Sequence, residues 1–269
     1  MTVETQNAIE VFDRVLCGVD GTPESLEAAR QAERLRAADG VLRLAAVADM
    51  NTAVHAGWPM SRVVEELDAK ARDALHRAID EVHPASTHLR AGSVVPCLLD
   101  EIEQTNATLV AVGPRGHSRA AGMLVGGVAS ELLHRAPCSV LFARKPRFGA
   151  FPLSILTGVD GSPQSLAAAA AAQALAERFL AEHIVVASTG GKGVDLDQVK
   201  QLFPDAVVDP GRPVKALADL SNEVDLLVVG SRGLHGPRAL GSVSERAAHQ
   251  AACSVLVVRN PGGNHEHDN

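Results

Sequence analysis

The sequence has no excess of positive charge. Its 25 lysine and arginine residues stand against 32 aspartate and glutamate residues, which leaves a formal net charge of −7 at neutral pH. Surfaces that bind nucleic acids or anionic membranes need clustered lysine and arginine, and the C-terminal residues NHEHDN add no such cluster. We therefore expect a small molecule or another protein as the partner, and neither a nucleic acid nor a membrane.

The sequence also lacks a long apolar run. A membrane-spanning helix needs roughly 20 apolar residues, and no run approaches that length. The first residues, MTVETQNAIEVFDRVL, are acidic and polar, whereas a signal peptide begins with basic residues followed by an apolar stretch. These two absences predict a soluble, cytoplasmic protein.

Cysteine is scarce and shows no paired spacing. The four cysteines, Cys17, Cys97, Cys138 and Cys253, stand far apart, and no C-x-x-C motif occurs. This usage is typical of a reducing compartment and predicts buried, structural thiols.

The chain does contain two copies of one pattern. GVDGTPESLEAAR begins at Gly18 and GVDGSPQSLAAAA at Gly158, LVAVGPRG recurs as LVVGSRG, and HRAPCSVLFAR recurs as HQAACSVLVVR. Since domains usually have roughly 100 to 150 residues, the repeat predicts two domains, residues 1–148 and residues 149–269. The offset falls from 140 residues at Gly18 and Gly158 to 115 at Cys138 and Cys253, so the second copy is 25 residues shorter. Its DLDQVKQLF predicts a two-turn helix where the first copy has SRVVEELDAKARDALHRAIDEV.

Short valine-rich and leucine-rich runs alternate with helical patterns in both copies. This alternation predicts a parallel sheet with helices on both faces, because strands buried on both sides read as continuous apolar runs. Thr22 and Ser162 are predicted helix N-caps, each followed by proline at the first helical position. A helix therefore starts at the sheet edge where open α/β folds bind ligands.

Glycines cluster after the run ATLVAV. Gly113 and Gly116 follow the predicted strand, and Gly126 opens the next predicted helix. Free amides at a helix N-terminus bind anions, and glycine lets phosphate oxygens approach the backbone. A plain structural turn explains the same spacing equally well. Neither the P-loop nor the G-x-G-x-x-G dinucleotide fingerprint occurs.

These motifs together resemble the universal stress proteins, in the tandem form with two domains in one chain. The resemblance runs from Asp13 to about Arg259. It implies two doubly wound, Rossmann-like α/β domains, each with a five-stranded parallel sheet. It also implies that the fifth strands, SVLFA and SVLVV, pair with each other, so that the chain forms an intramolecular pseudo-dimer.

The resemblance further implies an ATP site in each copy. ATP-binding members of the family share the pattern G-x2-G-x9-G-[S/T]. Asp20 would lie near the nucleoside, and the backbone of Val47 would contact adenine. The phosphate loop of the first copy would contain Gly113, Arg115, Gly116, Gly126, Gly127 and Val128. Gly127 stands where the family has serine or threonine, so one hydroxyl is missing and weaker binding is expected.

The second copy departs from the pattern in another way. Its corresponding residues are Asp160, Ala187, Gly230, Arg232, Gly233, Gly241 and Ser242. The hydroxyl is present at Ser242, but only seven residues separate Gly233 from Gly241 where the family has nine. Two simpler roles stay open in both copies: the aspartates could accept only the amides of the following turn, and the loop arginines could be solvated cations.

The sequence gives less support to two enzymatic hypotheses. GHSRA, around Ser118, approaches the G-x-S-x-G nucleophile elbow, but three residues separate its strand from the first glycine and His235 occupies the repeated position. No P-loop lysine or evident general base supports ATP hydrolysis, and the histidines lack metal-ligand spacing. We therefore expect no catalytic residue and no protein-ligated metal site.

The resemblance thus predicts an ATP-binding regulatory protein, with Mg²⁺ accompanying the nucleotide, that signals stress to an unknown protein partner. A homodimer of the whole chain is compatible with this prediction. The alternative is a universal stress protein that binds no nucleotide and acts as a scaffold for its partner.

Overall fold

The computed structural model describes residues 12–53, 60–114, 126–147, 149–191, 193–231 and 242–259. The described part of the first copy consists of β1 (Arg14–Gly18), α1 (Pro23–Leu35), β2 (Val41–Asp49), α2 (Met50–Ala53), α3 (Met60–Ile79), β3 (Ser86–Gly92), α4 (Val94–Thr105), β4 (Leu109–Val112), α5 (Gly127–Arg135) and β5 (Ser139–Phe142). The described part of the second copy consists of β6 (Ser154–Val159), α6 (Pro163–Phe179), β7 (Glu182–Ser188), α7 (Leu196–Leu202), β8 (Val207–Asp209), α8 (Pro213–Leu220), β9 (Leu226–Gly230), α9 (Ser242–Gln250) and β10 (Ser254–Val258).

The described strands form one sheet of ten, in the order β3-β2-β1-β4-β5-β10-β9-β6-β7-β8. Neighbouring strands run parallel within each copy, and β5 and β10 pair antiparallel at the centre, with Leu141 opposite Leu256. The predicted pairing of the fifth strands, and with it the intramolecular pseudo-dimer, is confirmed. The predicted domain boundary after residue 148 falls in the connection between β5 and β6.

Helices cover both faces of the sheet, and each face has its own apolar core. One core is built on α1, α3 and α6, and it contains Leu35 and Leu175 from different copies. The other is built on α4, α5, α8 and α9 and likewise joins the two copies, for example through Leu133 and Val257. Because each core draws on both copies, the copies stabilise each other.

Local chemistry accounts for the starts of α1 and α6. Thr22 Oγ1 accepts a hydrogen bond from the amide of Ser25 at 3.2 Å, and Ser162 Oγ accepts one from Ser165 at 3.3 Å. Proline occupies the first helical position in both. The predicted N-caps are confirmed, as is the shortened helix: α3 has 20 residues and α7 has seven.

All four cysteines are buried and unpaired, as the sequence predicts. Burial raises the pKa of each thiol, to about 12 for Cys138 and Cys253. A buried thiol with a raised pKa is a poor nucleophile, so these residues serve packing. Among the described residues, no helix combines the length and the apolar character needed to cross a membrane.

Two arginines join the copies reciprocally. Arg144, which follows β5, donates to the carbonyl of Ala248 in the last turn of α9 and to that of Cys253 just before β10, each at 2.9 Å. Arg259, which follows β10, donates to the carbonyls of Leu133 and Ala136 at the end of α5. Each guanidinium thus satisfies at least one helix C-terminal carbonyl of the opposite copy, where the helix dipole also favours a cation.

We expect Arg259→Ala to lower the free energy of unfolding by about 2 kcal/mol, because carbonyls at the end of α5 lose a charged donor. Urea denaturation measures this loss. Arg135→Ala is the matched control, since Arg135 lies on α5 itself and, among the described residues, makes only an exposed ion pair with Glu131. Such pairs contribute roughly 0 to 1 kcal/mol. Equal effects of the two substitutions would contradict the role given to Arg259.

Candidate functional site

The turn between β1 and α1 is organised by Asp20. Its Oδ1 accepts hydrogen bonds from the Thr22 amide at 3.0 Å and the Thr22 hydroxyl at 2.5 Å. Gly21 supplies the turn with a φ of +78°, which a residue with a Cβ rarely adopts. The Asp20 carboxylate therefore orders the first turn of α1, which is the structural role left open by the sequence.

The second copy repeats this turn closely. Asp160 Oδ1 accepts from the Ser162 amide at 3.0 Å and the Ser162 hydroxyl at 2.6 Å, and Gly161 has a φ of +86°. Burial acts to raise the pKa of Asp160, but the hydrogen bonds from Ser162 and Ser165 outweigh it, so the pKa lies below its usual value. The carboxylate is thus held ionised as an acceptor.

Gly113 and Gly230 occupy equivalent places, where β4 and β9 end against the first turns of α1 and α6. A Cβ on Gly113 would lie 2.9 Å from the carbonyl carbon of Glu24, and one on Gly230 would lie 2.3 Å from the carbonyl oxygen of Gln164. Both neighbours are backbone atoms. These glycines are therefore required by close packing of strand against helix, whether or not a ligand binds.

The N-terminus of α5 is the most open part of the site. Gly126 is the N-cap, with no capping side chain, and its amide donates to the Pro114 carbonyl at 2.5 Å. A Cβ on Gly127, the first helical residue, would meet no atom within 4 Å. No acidic residue lies in the first turn, and Val128 is exposed. Among the described residues, no side chain or negative charge covers the free amides at the start of this helix.

The corresponding end of α9 differs in charge. Ser242 is its first residue, and Glu245 lies in its first turn. Glu245 Oε1 is 3.4 Å from Nε2 of His134, on the opposite copy. A carboxylate in the first turn competes with an anion for the helix dipole. The predicted residues Arg115, Gly116, Arg232, Gly233 and Gly241 lie outside the described residues, as does Ser118 of the rejected hydrolase hypothesis.

The turns after β1 and β6 also pack against different helices. Gly21 lies against α3, where the nearest atoms to an added Cβ belong to Ala74 at 3.4 and 3.5 Å. Gly161 lies against the start of α7, where an added Cβ would come within 2.9 Å of both Asp195 and Gln198. The Asp195 amide also donates to the Asp160 carbonyl at 3.0 Å. The shortened second copy therefore brings a carboxylate and an amide side chain close to the turn.

The strand register at the ends of β2 and β7 corrects one predicted correspondence between residues of the two copies. Gly18 pairs with Ala45, and Gly158 pairs with Val186. Ala187 therefore corresponds to Ala46, and not to Val47 as a constant offset of 140 residues implied. The reason is one additional residue between the paired positions, where α6 is longer than α1. The adenine contacts assigned to Val47 and Ala187 stay predictions.

Sequence reasoning overlooked Asp195 and Glu245, two acidic residues at helix starts of the second copy. Asp195 is the N-cap of α7 and accepts from the Gln198 amide at 3.0 Å, a pattern visible as D-x-x-Q. Glu245 could be recognised only as an acid near a helix start. Within the described residues, no group of three or more potential ligands could hold a metal ion.

Comparisons with known proteins agree with this architecture. The family model described as universal stress protein family matches residues 12–144 and 195–259. A universal stress protein of Mycolicibacterium smegmatis is 29% identical, over 91% of this chain and 96% of the relative. One from Mycobacterium tuberculosis is 28% identical, over 92% and 95%.

Solved structures share the fold over nearly the whole chain. The crystal structure of a universal stress protein from Archaeoglobus fulgidus has a TM-score of 0.70 at 21% identity and covers 91% of this chain and 96% of its own. A functionally unknown protein from Pseudomonas aeruginosa has a TM-score of 0.67 at 15% identity, with 96% coverage of both chains. With the family model matched in both halves, the chain belongs to the universal stress protein family and carries two copies of its domain.

Proposed function

We propose that the protein is an ATP-binding stress-response regulator whose first copy holds the nucleotide, accompanied by Mg²⁺. In this proposal Asp20 and Val47 border the nucleoside, and Gly113, Arg115, Gly116, Gly126, Gly127 and Val128 form the phosphate loop. The occupied protein acts on a protein partner in the cytoplasm, and the site has no catalytic residue. The observation that carries the proposal is the open, uncharged N-terminus of α5.

The start of α5 has the chemistry that a phosphate group requires. Free helix N-terminal amides donate to phosphate oxygens, and the dipole favours negative charge at this point. Gly126 and Gly127 leave these amides uncovered, and the first turn has no acidic residue. The amide of Gly127 can donate a hydrogen bond to the phosphate even though the hydroxyl of the family pattern is missing.

The second copy is less suited to an anion. Glu245 lies in the first turn of α9, and Asp195 lies against the turn that follows β6. Two carboxylates near a phosphate oppose binding by like-charge repulsion, and this repulsion is stronger where water is partly excluded. These features favour one nucleotide per chain, bound in the first copy.

The shared cores provide a route from nucleotide occupancy to a regulatory output. Arg259 ties the end of α5 to the second copy, so a change at the first phosphate site reaches the interface between copies along one helix. A ligand shifts a protein between states only by binding them with different affinities. The proposed output is therefore a surface whose arrangement depends on nucleotide occupancy.

The count of nucleotides tests the asymmetry. We expect acid extracts of freshly purified protein, or titration with Mg-ATP, to give one adenine nucleotide per chain. Two per chain would contradict the role of Asp195 and Glu245. No nucleotide, together with no thermal shift at millimolar Mg-ATP, would overturn the proposal in favour of the scaffold alternative.

Gly127→Ser should restore the missing hydroxyl and tighten Mg-ATP binding about ten- to hundredfold, since a hydrogen bond to a charged group contributes roughly 1.5 to 3 kcal/mol. The open space at Gly127 accepts the side chain without displacement. Isothermal titration calorimetry measures the change. Gly127→Ala is the control, because it adds the Cβ without the hydroxyl. An equal gain in both variants would show that the hydroxyl is not the cause.

A further inference from the structure

Four polar side chains form a cluster at the outer edge of the first copy. Ser86, His88 and Arg90 alternate along β3, so they share one face of the sheet, and Glu101 reaches that face from α4. Ser86 Oγ lies 3.2 Å from His88 Nε2, and His88 Nδ1 lies 2.8 Å from Glu101 Oε2. Arg90 Nη1 donates to Glu101 Oε1. The side chains of Ser86, His88 and Glu101 therefore lie in a row, each within contact distance of the next.

Glu101 is the least exposed member, with 1% of its surface accessible. Burying a carboxylate costs several kcal/mol unless cations and donors surround it. Arg90 donates to Oε1 of Glu101. Oε2 has no aligned hydrogen-bond donor, although His88 Nδ1 is close to it. The 2.8 Å between His88 Nδ1 and Oε2 is within hydrogen-bond distance, and catalytic hydrogen bonds are often poorly aligned before a substrate binds.

The second copy shows that the fold does not require this cluster. Val207 pairs with Val186 as His88 pairs with Ala45, and Asp209 stands at the position of Arg90. Counted from the helix N-caps, Leu220 of α8 matches Glu101 of α4, and it packs against the apolar core. The residue that matches Ser86 is Asp205. An apolar residue thus fills this place in one copy, while the other retains a buried charge with its partners.

We propose that Ser86 is a nucleophile toward activated acyl esters, with His88 as its general base and Glu101 as the residue that positions His88. The carboxylate beside Nδ1 holds the proton on that nitrogen, which leaves Nε2 to accept the proton of Ser86. β3 is the terminal strand of the sheet, and 35% of the His88 side chain is exposed, so a small ester can reach the pair.

The reaction balances with water as the only co-reactant. Ser86 Oγ bonds to the acyl carbon while its proton passes to His88 Nε2, and the same proton goes to the departing alcohol as the ester C–O bond breaks. Water, which loses a proton to Nε2, then cleaves the acyl-serine, releases a carboxylic acid and restores the hydroxyl. The site is separate from the nucleotide site, because Ser86 begins β3 and lies roughly 20 Å along the strand from its carboxyl end.

A fluorophosphonate probe and p-nitrophenyl acetate test this proposal on the full chain. We expect the probe to form a phosphonyl adduct that peptide mass spectrometry locates at Ser86 and not at Ser118, with loss of fluoride. Ser86→Ala should abolish the adduct and the ester hydrolysis, whereas Thr87→Ala, on the opposite face of β3, should leave both unchanged. Absence of an adduct, or an adduct that persists in Ser86→Ala, would overturn the proposal.

Chemical rescue separates catalysis from packing. His88→Ala should lower the labelling rate at least about tenfold, and added imidazole should restore part of it. Glu101→Leu, which copies Leu220 and should therefore fold, is expected to lower the rate in the native background and to have no effect in imidazole-rescued His88→Ala. If Glu101→Leu changes only thermal stability and not the labelling rate, the cluster is structural and the proposal is wrong.

Discussion

Gly230→Ala should lower the free energy of unfolding by about 3 kcal/mol or more, because forced overpacking costs about 1 to 3 kcal/mol and occasionally more. The added Cβ would lie 2.3 Å from the carbonyl oxygen and 2.6 Å from the carbonyl carbon of Gln164. Both belong to the backbone of α6, so relief requires α6 to separate from β9. The cores that depend on this contact would loosen with it.

Urea denaturation monitored by circular dichroism measures this loss of stability. Substitutions at two other glycines provide the comparison. Gly113→Ala should destabilise less, because its closest backbone contact with Glu24 is 2.9 Å. Gly127→Ala meets nothing within 4 Å and should be neutral or stabilising by up to about 1 kcal/mol, the helix preference of alanine over glycine. If Gly230→Ala unfolded at the same urea concentration as the unaltered protein, the close approach of β9 to α6 would be incorrect.

Gly126→Val should weaken Mg-ATP binding by at least about a hundredfold, equivalent to roughly 2.7 kcal/mol. The branched side chain would cover the amides at the start of α5, where the proposed site receives the phosphates. Gly126 has a φ of −76° and a ψ of 168°, an extended conformation that valine adopts readily. The variant should therefore fold and lose affinity through the site itself.

Calorimetric titration with Mg-ATP measures the loss, and a thermal melt without nucleotide verifies folding. Replacing an N-cap glycine by an apolar residue costs about 1 kcal/mol, which leaves a folded protein. Gly241→Val makes the matched change in the second copy and should leave the affinity and the count of one nucleotide unaltered. Undiminished affinity in Gly126→Val would refute the placement of the phosphates at α5.

Much of the fold could be predicted from the sequence because it rests on local patterns. Thr22-Pro23 and Ser162-Pro163 start helices by capping chemistry that needs only neighbouring residues. The shortened α7 follows from the length difference between copies. The pairing of β5 with β10 was predicted through the family resemblance, since both strands are fully buried and no local pattern specifies which strand lies beside them.

The candidate site was less accessible to such reasoning. The glycines at 113 and 230 were interpreted as parts of phosphate loops, and the structure shows a packing requirement that no spacing reveals. The match of Ala187 with Val47 was displaced by one residue, because a constant offset cannot register an insertion between β6 and β7. The phosphate-binding roles stay predictions.

By itself, the sequence determined the repeat, the alternation of strands and helices, the caps and the burial of the cysteines, because these depend on neighbours in the chain and on polarity. Only the tertiary structure decided which distant groups meet. It placed Arg144 and Arg259 on helix ends of the opposite copy, Asp195 against the turn at Gly161, and Glu101 beside His88. Such contacts depend on strand register and helix packing, which arise when both copies close around shared cores.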